Sequence, residues 1–152
     1  MSQNVNRVDH VMWICKPENQ AAYVEQLSKL CRVKFYGPVE KDNLGVRLYI
    51  NWAAGLEVIA PTSQTNPISK PLRDHLAARG EGLLGLVFGV ADIDDARRHA
   101  QALGYEPSGL IENSGDEPYA QETEVMKEIM LGNVLNSLFV FGEIKLSDDP
   151  LR

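Results

Sequence analysis

Arg7-Val8-Asp9-His10-Val11-Met12-Trp13-Ile14-Cys15 runs directly into a helix start at Pro17, and Leu83-Leu84-Gly85-Leu86-Val87-Phe88-Gly89-Val90 runs into another after Asp92. Each is an apolar run of strand length followed by a proline or capping residue that opens a helix, so the chain reads as one strand–helix unit written twice. Laid over each other, the two copies set His10 opposite Gly85. The first copy keeps a reactive side chain where the second has none, and that asymmetry carries most of what the sequence says about function.

The same pattern extends outward from both copies. After Pro17 and Glu18, the residues Val24, Leu27, Leu30 and Cys31 recur at helical spacing and predict one buried face. Val33–Tyr36 reads as a short strand and Gly37-Pro38 as a turn or bulge. Gly45–Trp52 alternates, with Val46, Leu48 and Ile50 on one side and Arg47, Tyr49 and Asn51 on the other; with Leu56–Ala60 it predicts a hairpin. Asn66 is placed to cap a linking helix, with Pro67 first and Ile68, Leu72 and Leu76 as its apolar stripe, ending at Gly80. In the second half Asp92 caps a helix with Asp95 three residues on, Ile93, Ala96, Ala100 and Leu103 face inward, and Gly104 is the stop. Glu106–Ile111 is read as a strand, Asn113–Gln121 as a mobile loop, Glu124–Leu131 and Val134–Ile144 as strands turning at Gly132-Asn133, and Ser147–Arg152 as a frayed tail. The expected fold is therefore α+β: two tandem βαβββ modules whose curved mixed sheets surround a shared cleft. One domain spans residues 1–152, with module one over about 7–61, the linking helix over about 66–80 and module two over about 82–145.

Composition fits this. A chain of 152 residues with 44% hydrophobic and 24% charged residues has the size and balance of one globular domain. Its net charge of −6 argues against nucleic acid as a partner, because phosphate contacts need a basic face. No stretch has the ~20 apolar residues of a membrane span, and the N-terminal residues lack the apolar core of a secretory signal, so a cytoplasmic protein is expected. Cys15 and Cys31 form no Cys-x-x-Cys pair and read as small buried hydrophobes.

Particular runs now point to a family. Val8-Asp9-His10-Val11, Leu56-Glu57-Val58-Ile59-Ala60-Pro61, Asn66-Pro67-Ile68-Ser69-Lys70-Pro71-Leu72, Arg79-Gly80-Glu81-Gly82-Leu83 and Val90-Ala91-Asp92-Ile93 resemble the vicinal oxygen chelate superfamily. That superfamily includes glyoxalase I, extradiol dioxygenases, bleomycin-resistance proteins and methylmalonyl-CoA epimerase, and the epimerase group is the nearest in local pattern. The resemblance runs from about Val8 to Glu143. It implies a metal site with one ligand from the first and one from the fourth strand of each half. In the first half those positions hold His10 and Glu57. In the second they hold Gly85 and, by parallel with Leu56-Glu57-Val58, Phe139, while a slip of two gives Ser137. The resemblance thus implies an incomplete site with no cofactor or a weakly bound divalent metal, unless Glu122, Glu124 or Glu128 supplies a replacement.

The candidate site residues follow. His10 and Glu57 are the catalytic candidates: an imidazole exchanges protons near neutral pH, and a carboxylate in an apolar cavity is a general base. Arg47, Tyr49 and Asn51 line the cleft if the Val46-Leu48-Ile50 stripe meets the helix, and form a solvated outer face otherwise. Glu57 has an alternative role as an ion-pair partner of Arg47. Met12, Gly85 and Phe139, with Phe141 and Met130, would make an apolar wall suited to a hydrophobic acid or thioester. The resemblance implies an isomerase, epimerase or lyase working by proton transfer. The alternative is a sequestering protein of the bleomycin-resistance kind, and an extradiol-type oxygenase, which needs one more histidine, ranks last. A homodimer is expected by analogy.

Overall fold

The computed structural model describes residues 2–147. Strand β1 (Ser2–Gln3) precedes β2 (Arg7–Ile14); a 3-10 turn at Pro17–Asn19 opens α1 (Gln20–Cys31), and β3 (Tyr36–Lys41), β4 (Val46–Asn51) and β5 (Leu56–Pro61) follow. Helix α2 (Lys70–Arg79) leads to β6 (Gly82–Gly89), α3 (Ile93–Ala102), β7 (Ile111–Glu112), β8 (Thr123–Val134) and β9 (Ser137–Leu146). The fold is α+β, and the order strand–helix–strand–strand–strand occurs twice, as β2-α1-β3-β4-β5 and β6-α3-β7-β8-β9.

Contacts divide the described chain into two compact units, residues 12–84 and residues 2–11 with 85–147. The division runs through β2 and β6. In the unit of residues 12–84, β4 pairs antiparallel with both β3 and β5, and the Cys15 N–H donates to the Ile59 carbonyl at 3.2 Å to bring in the end of β2. Helix α1 covers a core of Cys15, Val24, Val58 and Ala60, flanked by Trp13, Leu27, Phe35 and Tyr49. Gln20 is fully buried. Its amide donates to the Arg47 carbonyl at 2.8 Å and the Val58 carbonyl at 3.0 Å. Its own oxygen accepts from Arg47 Nε at 2.7 Å, and Arg47 Nη2 donates to the Pro17 carbonyl at 2.6 Å.

In the other unit β6 runs parallel to β9, β8 pairs antiparallel with β9, β7 pairs with β8, and β1 pairs with β9. Helix α3 packs on β8 and β9 through buried Ile93, Ala96 and Ala100. Asp92 caps α3 by accepting the Asp95 N–H at 2.9 Å.

Several local expectations are corrected. The third strand begins at Tyr36 and passes through Gly37-Pro38, a cis peptide at a bulge between Tyr36 and Val39. Leu30 is 76% exposed and Cys31 is exposed, because the buried face of α1 runs through Gln20 and Val24 instead. Helix α2 starts at Lys70 rather than Pro67; Asn66 accepts the Ile68 N–H at 2.8 Å and shapes the turn before it. The β8–β9 turn lies at Leu135 and Asn136, both with positive φ, and Gly132 is instead a bulge within β8. Glu106–Ile111 is almost all irregular, with a strand only at Ile111–Glu112. The loop after it buries Glu117 and Tyr119, and Glu117 accepts from the Ser114 and Gly115 N–H groups at 2.7 and 2.9 Å. The expected tail over Ser147–Arg152 lies outside the described residues beyond Ser147, whose hydroxyl donates to the Gln121 carbonyl at 2.7 Å.

Two measurements check this framework. Gln20→Leu keeps side-chain volume but strips two buried carbonyls and the Arg47 Nε of their partner; we expect a loss of about 3 kcal/mol in urea denaturation. The hydrogen bond from the Asp95 N–H holds the Asp92 carboxyl below the ordinary aspartate range. Its stabilisation is therefore complete above the unfolded pKa and fades as pH falls through the lower folded value. Asp92→Ala should lower the melting temperature by roughly 3 °C at pH 7, and this deficit should shrink on acidification, whereas Asp92→Asn should keep the pH 7 value.

Candidate functional site

In the unit of residues 2–11 and 85–147, His10 is 1% exposed. Its Nδ1–H donates to Asp9 Oδ1 at 2.7 Å. A carboxylate only accepts, so in this contact Nδ1 carries a proton. Nε2 faces Glu128 Oε1 at 3.8 Å. The ring is thus clamped on one side and presented to a second carboxylate on the other. Of the three acidic residues named as possible replacements, the structure brings Glu128 to His10.

The register around Glu128 explains why its surroundings are apolar. Glu128 pairs with Gly142 on β9, and Val87 and Gly89 on β6 pair with Val140 and Gly142. Paired residues share a sheet face, so Glu128, Val87, Leu138, Val140 and Gly142 lie together. Phe139 and Phe141 alternate to the opposite face, where Phe139 stacks on Phe88 at 6.3 Å and meets Phe141 edge-on at 5.8 Å. The expected placement of Phe139 across from the catalytic groups is therefore corrected: the β9 side chains on the Glu128 face are Leu138 and Val140. Gly85 pairs with Leu138, and a Cβ at position 85 would fall on the Leu138 carbonyl oxygen, far inside van der Waals contact. Position 85 is a point of close backbone approach that admits no ligand side chain.

In the unit of residues 12–84, Glu57 is 7% exposed. Ile50 sits between Tyr36 and Glu57 in the ladder, Leu48 between Val39 and Ile59, and Val46 between Lys41 and Pro61. These residues share one face, and Met12 and Ile14, alternating with Cys15, belong to it as well. Arg47, Tyr49 and Asn51 occupy the other face, under α1. Arg47 bonds Gln20 and Pro17, Tyr49 packs on the helix core, and Asn51 Nδ2 donates to the Lys34 carbonyl at 2.7 Å. The premise that the Val46-Leu48-Ile50 stripe meets the helix is reversed. The reason is that Gln20 supplies Arg47 with a buried partner, so the charged residue can face the helix. Arg47 also points away from Glu57; its acidic neighbour is Glu40 at 3.9 Å.

Sequence reading missed Lys41, which is 6% exposed and shares the Glu57 face. The signal was present in the Val39-Lys41 alternation, but it is visible only once β3 is carried through the bulge to Lys41.

Two of the four positions that the resemblance gives as metal ligands carry no donor, Gly85 and Phe139. Among the described residues no three His, Cys, Asp or Glu side chains gather in a metal-holding group. Position 85 is closed to any side chain, and the β9 positions beside Glu128 are apolar.

The fold these elements define is a tandem βαβββ architecture. No protein-family model matches the chain, and no curated protein matches it by sequence. Among solved structures it is similar to a Streptomyces coelicolor methylmalonyl-CoA epimerase variant in complex with 2-nitronate-propionyl-CoA, at 20% identity over 97% of this chain and 99% of that one, with a TM-score of 0.68. It is also similar to the methylmalonyl-CoA epimerase from Mycobacterium tuberculosis, at 16% identity over 94% of this chain and 91% of that one, TM-score 0.66. A third is a methylmalonyl-CoA epimerase in complex with methylmalonyl-CoA and NH4+, at 20% identity over 91% and 94%, TM-score 0.65. At this identity the likeness establishes the fold.

Restoring an imidazole at the second-half position is a sharp check of the close approach at Gly85. Gly85→His and the milder Gly85→Ala should each destabilise the protein by about 3 kcal/mol or more in chemical denaturation, because the clash is with backbone that side-chain repacking does not relieve.

Proposed function

We propose that the protein is a small-molecule isomerase or epimerase of the vicinal oxygen chelate type, moving a proton next to the carbonyl of a hydrophobic acid or acyl thioester. The observation that carries this reading is the buried His10 ring, held through Nδ1–H by Asp9 and turned toward Glu128 through Nε2. The fold likeness to methylmalonyl-CoA epimerases supports the thioester as substrate class.

In this reading the Nε2 lone pair takes the proton from the carbon beside the carbonyl. The C–H electron pair moves into an enolate, and the new imidazolium lies between two carboxylates that stabilise its charge. Delivery of a proton to the opposite face of that carbon completes an epimerisation, and to another atom of the enolate frame an isomerisation. Glu57 is the other candidate for this role. No step is routed through a metal. A homodimer in the cytoplasm belongs to the same analogy.

A second reading is a sequestering protein that binds such molecules without converting them. The closed position at Gly85 and the apolar Leu138 and Val140 favour it. One experiment separates the two: incubation with methylmalonyl-CoA and a panel of acyl thioesters in D2O, with loss of the α-proton followed by NMR. We expect exchange that persists in EDTA and falls ~100-fold or more in His10→Gln or Glu57→Gln, with melting temperatures retained. Tight binding with no exchange would establish the sequestering reading instead.

A further inference from the structure

The unit of residues 12–84 also holds a cavity of about 300 Å³ on the α1 side of its sheet, lined by Trp13, Cys15, Tyr23, Leu27, Val58 and Glu81 among others. It lies on the face opposite Glu57, since Cys15 and Val58 belong to the helix core. None of the proton-transfer candidates contributes to it. Its volume is at the low end of small-ligand pockets.

The walls differ in chemistry. Val58 and Cys15 are fully buried and Trp13 and Leu27 partly so. Burial pushes the Cys15 thiol up to about 11, so it stays neutral and acts as apolar wall. At the mouth stand Tyr23 and Glu81. The Glu81 carboxylate accepts from Asn19 Nδ2 at 3.2 and 3.0 Å, from the Lys16 N–H at 2.9 Å and from the Tyr23 hydroxyl at 2.9 Å. The Asn19 amide, then the Lys16 N–H, hold it below the ordinary glutamate range, so it is fully charged at neutral pH. All of these hydrogen-bond donors are uncharged: they fix the carboxylate in place without cancelling its charge, and the Lys16 ammonium contributes the smallest share.

We propose that this cavity binds a small organic ammonium with an aromatic or aliphatic body, its charged end at Glu81 and Tyr23 and its body on Trp13, Leu27 and Val58. A fixed carboxylate at the mouth of an apolar hollow repels anions. It would be left facing a neutral hydrophobe with no compensating charge. A bare metal ion finds one carboxylate whose oxygens are already hydrogen-bonded, far short of the six or more oxygen ligands that calcium takes. An organic cation satisfies both surfaces, and the rings of Trp13 and Tyr23 add cation–π attraction.

The test is calorimetric titration of the whole protein with phenethylammonium, 3-phenylpropanol and 3-phenylpropionate at pH 7. The ammonium should bind at least ten-fold more tightly than the alcohol, and the carboxylate should not bind. Glu81→Gln should bring the ammonium down to the level of the alcohol, and Leu27→Phe, which fills the hollow and leaves Glu81 in place, should abolish both. Equal affinity for ammonium and alcohol, no binding of the ammonium at millimolar concentration, or binding unaffected by both substitutions would overturn the proposal. If Glu81→Gln does not fold, the ligand series on the unaltered protein decides alone.

Discussion

The buried contact between Gln20 and Arg47 settles which side of the β4–β5 hairpin faces a helix. A guanidinium under a helix is costly unless its donors are satisfied. Here Nε donates to Gln20 at 2.7 Å and Nη2 to the Pro17 carbonyl at 2.6 Å, while the Gln20 amide closes the circuit on two strand carbonyls. Charge-assisted hydrogen bonds of this kind are each worth about 1.5–3 kcal/mol. They bind the first turn of α1 to two strands at once. With Arg47, Tyr49 and Asn51 committed to the helix side, the Val46, Leu48 and Ile50 side is left to carry Glu57 and Lys41. Both the Glu57 face and the cavity under α1 owe their character to this one choice of side.

In the other unit backbone proximity has the equivalent effect. β6 approaches β9 so closely at Gly85 that the position has no room for a side chain, and Gly142 keeps the neighbouring floor flat beside Val87. The β9 side chains on the Glu128 face are apolar, Leu138 and Val140. The His10 ring's two nitrogens have distinct surroundings, one a hydrogen bond and the other a carboxylate beyond hydrogen-bond distance. That difference is the basis on which His10 is proposed as the proton carrier.

Much of the architecture was legible because it rests on local physics. The duplicated strand–helix unit, the Asp92 cap, the β4–β5 hairpin and the stop at Gly104 all follow from period, capping chemistry and positive-φ glycines. Errors fell where local signals were ambiguous. Gly37-Pro38 looks like a chain reversal but is absorbed as a bulge, which displaced β3 and hid Lys41. Gly132-Asn133 looks like a hairpin turn, yet the chain reverses at Leu135 and Asn136 and Gly132 is a bulge within β8. Phe139 was assigned to the wrong face because alignment by residue type, Leu-Phe-Val against Leu-Glu-Val, is blind to the one-residue shift that reverses a strand.

By itself the sequence determined the order of elements, the repeat and two candidate polar residues, His10 and Glu57. Those properties depend on spacing along the chain. Tertiary structure decided which strand face meets a helix, that Glu128 rather than Glu122 or Glu124 stands by His10, that position 85 is closed, and that Glu81 gathers donors from Lys16, Asn19 and Tyr23 some sixty residues earlier in the chain. Such pairings depend on register and on the burial of polar partners, and alternation along one strand leaves both of its sides equally available until something packs against one of them.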